Sequence, residues 1–285
     1  MSGQLNALSV DVEDYFHVAA LSKVIRKEDW DTLPMRVVDN CRRIVDLFDE
    51  HRVRATFFVL GWVARKVPHL VRELHERGHE IACHGLSHSL IYTQSPDEFR
   101  RETREAKDIL EDIVGGPVDG YRAASYSITT ASRWALDILI ESGFSYDSSI
   151  FPVRHDLYGM PGAARQPHRL VTSSGAEIVE FPPSVVRLFG QNVPVGGGGY
   201  FRLYPYGVTR ALLRRINRDS HRPVMFYLHP WEVDPEQPRF EADWFSRFRH
   251  YTNLDKCEPR LRCLLRDFRF GSVSDVLTSL NFLGK

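Results

Sequence analysis

Residues 7–14 read Ala7-Leu8-Ser9-Val10-Asp11-Val12-Glu13-Asp14, a short apolar run that ends in three carboxylates within four residues. A run of this length bounded by polar residues has the pattern of a buried strand. Downstream, Val37, Cys41, Ile44, Val45 and Phe48 recur at helical spacing, and residues 54–61 form a second strand-like run. Val67, Leu70, Val71 and Leu74 mark another helix, which Gly78 can end in the left-handed conformation. Glu80-Ile81-Ala82-Cys83-His84 is the next strand. Phe99, Thr103, Ala106, Leu110 and Ile113 make a further helical stripe, closed by Gly115-Gly116-Pro117. Later strands are expected at 120–123, 144–147, 178–181 and 224–229. Strand and helix in alternation imply a parallel sheet, and 285 residues suit an α/β chain forming an incomplete or distorted (β/α) barrel of about seven parallel strands.

One domain is expected over 1–285, with a core at 5–235 and a C-terminal extension, 236–285, packed on it. The tail from Trp244 onward is rich in arginine and aromatic residues and reads as a helix with a solvated arginine face. The section from about 151 to 206 is rich in Pro and Gly and reads as irregular. Its run Gly196-Gly197-Gly198-Gly199 suggests a tight turn beside a groove, since no phosphate-loop pattern surrounds it. Lys+Arg and Asp+Glu number 37 each, which removes the basic field that nucleic-acid binding needs. A neutral partner fits better.

The chain opens without a basic segment followed by an apolar one, and no run reaches the roughly 18 apolar residues of a membrane span. Cys41, Cys83, Cys257 and Cys263 lack a CxxC pair and suit a reducing compartment, so a cytoplasmic location is expected.

In a barrel of this kind the active site lies at the C-terminal ends of the strands. Asp11, His84, Arg122, Asp147 and His229 all close apolar runs. His84-Gly85-Leu86-Ser87-His88 spaces two histidines at i and i+4, which can face one metal if the turn between them is helical. Three neighbouring carboxylates at Asp11, Glu13 and Asp14 repel one another unless a cation compensates. Two histidines and one carboxylate make a catalytic zinc set, and a second carboxylate beside it can act as general base. His229, in Leu228-His229-Pro230-Trp231-Glu232, can protonate a leaving amine, and Arg122 can orient the base or the acyl group.

The order acidic cluster, HxxxH, Arg, Asp, His resembles the polysaccharide deacetylases of carbohydrate esterase family 4, with their nodulation-type deacetylase domain. Val10-Asp11-Val12-Glu13-Asp14-Tyr15-Phe16-His17 is similar to the branch found beside exopolysaccharide and exosortase (PEP-CTERM) gene clusters. So are Tyr146-Asp147-Ser148-Ser149-Ile150-Phe151-Pro152, Gly197-Gly198-Gly199-Tyr200-Phe201-Arg202, His229-Pro230-Trp231-Glu232 and the segment 249–255. The resemblance covers nearly the whole chain. It implies an incomplete (β/α) barrel, Asp11 as general base, and His84, His88 and Asp14 as ligands of Zn2+ or another divalent transition metal. It also implies Arg122 bracing the base and Asp147 tuning the catalytic His229.

Two departures from the family pattern stand out. Asp11 and Asp14 are separated by Val12 and Glu13 where the family has adjacent aspartates. Glu13 shares a strand face with Asp11 by the period of two, which makes it the rival third ligand. Ala123-Ala124-Ser125 stands where the family usually has proline and then an aromatic or Ser, which alters the groove.

The implied reaction removes acetyl groups from N-acetylated sugars of an exopolysaccharide or its lipid-linked precursor. A backbone N–H near Ser125 or Tyr126 would hold the oxyanion. Tyr126, Tyr200 and Trp231 are expected to bind substrate, with Tyr15, Phe16, Tyr158, Phe201 and Tyr204 as further rings that could stack on sugars. The partners implied are the N-acetylated glycan and a membrane polysaccharide assembly complex. Two other readings fit the same residues: a hydrolase of small cyclic amides or ureides, and an inactive glycan-binding module.

Overall fold

The computed structural model describes residues 3–155, 157–220 and 222–284. Its strands are β1 (Leu5–Val12), β2 (Thr56–Val59), β3 (Glu80–Cys83), β4 (Gly120–Tyr121), β5 (Tyr146–Asp147), β6 (His168–Val171), β7 (Glu177–Glu180), β8 (Val185–Leu188), β9 (Gln191–Pro194), β10 (Met225–Leu228) and β11 (Arg269–Gly271). The main sheet runs β10-β1-β2-β3-β4-β5-β7-β6, with β11 also on β1. Every pairing from β10 to β7 is parallel, and only β6 runs antiparallel, against β7. These are the seven parallel strands of the expected distorted barrel. The seam between β7 and β10 is bridged by irregular chain. Ser184 N–H donates to Met225 O (3.3 Å), Met225 N–H to Ser184 Oγ (2.9 Å) and Tyr227 N–H to Gly196 O (2.7 Å).

The helices that return the chain are α1 (Val37–Glu50), α2 (Gly61–Lys66), α3 (Pro68–Glu76), α4 (Pro96–Val114) and α5 (Trp134–Glu141). Their apolar stripes meet the outward side chains of the strands, so Leu8, Val10 and Val12 pack with Val37, Cys41, Ile44 and Phe48. Gly115 ends α4 at φ +70, and Gly78 follows α3 at φ +80, where a residue without Cβ is least strained.

The inward face of β1 is different. Ala7 joins Phe58, Ala82, Tyr146, Val179 and Met225 in a second core that α10 (Val273–Ser279) plugs with Val273, Val276 and Leu277. Alternation along β1 therefore sends Ser9 and Asp11 up the barrel interior toward its C-terminal mouth.

The section expected to be irregular holds β6, the short β8–β9 hairpin and α6 (Gly198–Leu203). Sparse apolar residues hid these strands from periodicity, because β6 and β9 are half-exposed. Beyond α7 (Tyr206–Ser220) the tail forms α8 (Trp244–Tyr251), α9 (Leu254–Asp267), β11 and α10 rather than one helix. Among the described residues no helix is long and apolar enough to cross a membrane.

The glycine run does make a close backbone approach. Gly197 lies at φ +127, bridges Tyr227, and would place a Cβ 1.8 Å from Tyr227 O. Gly197→Ala is therefore expected to destabilise the chain by more than the about 1–3 kcal/mol of backbone strain alone, read as a lower urea midpoint.

Candidate active site

Asp11 and Glu13 are neighbours in the mouth of the barrel, 2 % and 3 % exposed. Arg122, which follows β4, crosses the interior to meet Asp11. Its Nη1 donates to Asp11 Oδ1 at 2.5 Å and to Ser9 Oγ at 2.8 Å, while Nη2 donates to Ser148 Oγ at 2.9 Å. The guanidinium also sits 4.0 Å from the Phe58 ring centre. Its backbone carbonyl meets His84 Nδ1 at 2.8 Å, which turns His84 Nε2 toward the mouth.

Glu13, His84 and His88 bring one ligand atom each to within 4.8 Å of one another. His88 Nε2 lies 2.6 Å from Glu13 Oε2, yet that buried oxygen has no hydrogen bond of acceptable geometry. An oxygen and two imidazole nitrogens that converge without satisfying each other fit a divalent metal ion, and two histidines with one carboxylate suit zinc. Burial pushes the His84 imidazole down to about 4, which keeps it in the neutral, ligating form. The two histidines converge through a loop, not the helical turn expected from their spacing. Gly85 at φ +75 and His88 at φ +53 fold it back.

Asp14, expected as the third ligand, is not in this cluster. Its Oδ2 accepts the N–H groups of Arg36 (2.7 Å) and Val37 (2.9 Å), and its Oδ1 that of Tyr15 (2.9 Å). It thereby caps the start of α1, whose first N–H groups have no intrahelical partner. Burial pushes its carboxyl up to about 6 against the pull of those donors. The adjacent His17 completes this corner, accepting Asp14 N–H at Nδ1 (2.8 Å) between the rings of Trp30 and Trp62.

His229 Nε2 faces both carboxylates, 3.9 Å from Asp11 Oδ2 and 3.7 Å from Glu13 Oε1. Its other nitrogen, Nδ1, pairs with Glu232 Oε1 at 2.7 Å. The acid that meets His229 is thus Glu232, not Asp147. Asp147 instead bonds Ser149 Oγ at 2.5 Å and shares a buried carboxyl pair with Glu180, whose own carboxyl is raised by burial and by Asp147. Glu232 was legible as the i+3 acid of His-Pro-Trp-Glu, but nothing local sets it above Asp147.

Arg202, likewise unassigned from sequence, lies 3.5 Å from Glu232 Oε2 and donates to the backbone carbonyls of Arg249, His250 and Thr252. It ties the C-terminal segment to the acid behind His229. Burial alone would lower the His229 imidazole. The Glu232 hydrogen bond and the charges of Glu13, Glu232 and Asp11 outweigh burial and raise it to about 9.

Of the residues expected to bind substrate, Trp231 stacks on His229 (5.2 Å, 20°) and donates Nε1–H to Glu13 Oε1 at 3.2 Å, so it supports the site from behind. Tyr126 is 6 % exposed with its hydroxyl unpartnered, between Phe151 and Tyr227. Tyr200 is half-buried beside Tyr204 (6.1 Å). Tyr15, Phe16 and Phe201 are core residues.

A parallel sheet with helices outside, and buried carboxylates and histidines converging at its C-terminal mouth, defines a (β/α)-barrel-class protein with a metal-type site. Residues 29–139 match the family model Polysaccharide deacetylase, and residues 148–278 match Domain of unknown function (DUF3473). A chitooligosaccharide deacetylase of Bradyrhizobium sp. (strain ANU 289) is 30% identical over 188 residues, covering 66% of this chain and 75% of that protein. A peptidoglycan-N-acetylglucosamine deacetylase of Bacillus cereus is 36% identical over 73 residues, only 26% of each chain. The chain belongs to the polysaccharide deacetylase family.

Two solved structures share its fold over 99% of this chain and 92% of theirs. They are a putative polysaccharide deacetylase from Mycobacterium smegmatis (TM-score 0.61, 19% identity) and Puue allantoinase (TM-score 0.63, 14% identity).

Two outcomes follow for the acidic cluster. Glu13→Gln should weaken zinc binding by more than the roughly 10–100-fold of a lost outer partner, measured by competition with a chelator. Asp14→Ala should keep zinc but lower stability by about 1–2 kcal/mol or more in urea unfolding. The raised His229 value also sets a sign. Its stabilisation is complete below the ordinary 6.5 and is lost as pH rises through about 9. In metal-free protein the urea midpoint should therefore fall across that window, and fall less in Glu232→Gln.

Proposed function

We propose that this chain is a zinc-dependent hydrolase that removes acetyl groups from N-acetylated sugar residues of an exopolysaccharide or its lipid-linked precursor. The observation that carries this reading is the pairing at the barrel mouth. Asp11 is braced by Arg122, Glu13 converges with His84 and His88, and His229 Nε2 stands within 4 Å of both carboxylates. The names of the Bradyrhizobium and Bacillus cereus relatives support the same chemistry.

Glu13, His84 and His88 would hold the ion, which when bound would polarise the amide carbonyl and make water acidic enough to ionise near neutral pH. Asp11 has one oxygen committed to Arg122, and its Oδ2 remains to take the proton of the attacking water. Arg122 holds that carboxylate in place. Tyr126 N–H is already donated to Ala123 O (3.0 Å), which leaves Ser125 N–H as the backbone donor for the oxyanion. Ser125 and Tyr126 both hold positive φ, 51° and 53°, and such strain is kept where a loop must present its backbone. His229, held as the imidazolium by Glu232, gives its Nε2 proton to the departing sugar nitrogen as the C–N bond breaks. Acetate and a free amine result.

Acetylated oligosaccharides supplied to the zinc-loaded protein should release acetate. Asp11→Asn should abolish release, with zinc content near that of the wild type, while His84→Ala/His88→Ala should lose both. A zinc-loaded wild type that releases acetate from no oligosaccharide, but opens a cyclic ureide, would refute the glycan reading.

A further inference from the structure

The aromatic and arginine-rich start of the C-terminal tail takes no part in the chemistry above. It forms α8, outside residues 29–139 that match the deacetylase model. The inner side of α8 is fixed. His250 is 1 % exposed, stacks on Trp231 (4.4 Å, 25°) and bonds Gln237 Oε1 through Nε2 at 2.7 Å. Asp243 caps its first turn, accepting Ser246 N–H at 3.0 Å. The outer side carries Trp244, Phe245 and Phe248, which are 75%, 58% and 40% exposed. Three large aromatics together on one two-turn helix form the kind of patch that marks a binding surface.

Exposed rings beside a guanidinium suit a ligand with both apolar faces and polar edges. Trp244 and Phe248, four residues apart, stack with nearly parallel planes (5.4 Å, 15°). The Arg249 guanidinium covers the Phe245 ring at 5.4 Å. A row of rings leads from Tyr158 to His229. Tyr126 is 6.2 Å away, Tyr227 a further 5.1 Å, and His229 5.7 Å beyond that. α8 itself is joined to the candidate acid by two stacking contacts, His250 on Trp231 and Trp231 on His229.

A pyranose offers C–H faces to flat rings and hydroxyls to a guanidinium. An anionic membrane would call for a dominant positive field, whereas here Glu241 and Asp243 sit among Arg239, Arg247 and Arg249.

We propose that Trp244, Phe245, Phe248 and Arg249 form a remote glycan subsite, holding distal sugars of the polymer whose acetylated residue lies at His229. This inference rests on the glycan reading above. The test compares the dimer and hexamer of N-acetylglucosamine as substrates of the zinc-loaded full chain. It adds calorimetric titration of the hexamer into the metal-free His84→Ala/His88→Ala chain.

In the wild type kcat/KM should rise from dimer to hexamer. In Trp244→Ala/Phe248→Ala that ratio should fall about tenfold, mainly through KM. Hexamer binding to the metal-free chain should weaken by a similar factor when the same two substitutions are added. Binding that depends on Trp244 and Phe248 without hydrolysis of any oligomer would leave the subsite standing and remove the hydrolase. Hydrolysis whose dependence on length ignores these substitutions, or no dependence on length at all, would overturn the subsite alone. So would loss of sedimentation with phosphatidylglycerol vesicles in the variant while its glycan constants stay unchanged, which would make α8 a lipid-facing helix.

Discussion

The buried contact between Arg122 and Asp11 is the constraint on which the rest of the site depends. Both side chains lie inside the barrel, at 0% and 2% exposure, where an isolated charge would be strongly disfavoured. The guanidinium is therefore enclosed by partners: Asp11, Ser9, Ser148, the Met225 sulfur and the face of Phe58. The same residue's carbonyl orients His84. One position thus sets the direction of the candidate base through its side chain and of a candidate ligand through its backbone. Breaking such a pair by removing one partner costs about 3–5 kcal/mol, because the other charge is left uncompensated.

Around that contact, carboxylates of similar sequence character have separate tasks set by what faces them. Asp11 meets a guanidinium, Glu13 meets imidazoles, and Asp14 meets the open N–H groups of α1. Neighbours in sequence point to different surroundings because β1 ends at Val12 and a 3-10 turn begins at Tyr15. Repulsion within the cluster is relieved by dispersal as much as by a cation. The acid pair Asp147 and Glu180 is separated from the mouth in the same way, bound to Ser149 and the Ile150 N–H.

The C-terminal half reaches the site from behind. Arg202 holds three backbone carbonyls of residues 249–252 and faces Glu232, while His250 stacks on Trp231, which in turn touches both His229 and Glu13. β11 and α10 close the opposite end of the barrel, where Val273 N–H donates to Thr56 Oγ1 and Ser274 N–H to Glu80. The residues matched by the model of unknown function therefore supply the histidine, its acid and the support for both.

What the sequence determined by itself was everything that depends on local period. The alternation of strands and helices, the ends of α3 and α4 at glycines, and the inward turn of Ser9 and Asp11 along β1 all follow from repeats of 2 or 3.6 residues. The short strands β6 and β9 escaped because half-exposed residues carry no clear period. Tertiary structure alone decided which acid serves which partner. Asp14 was drawn to α1, whose start lies 23 residues on, and His229 met Glu232 rather than Asp147. A carboxylate is satisfied by the nearest donors in space, and those donors come from elements that only the folded barrel brings together.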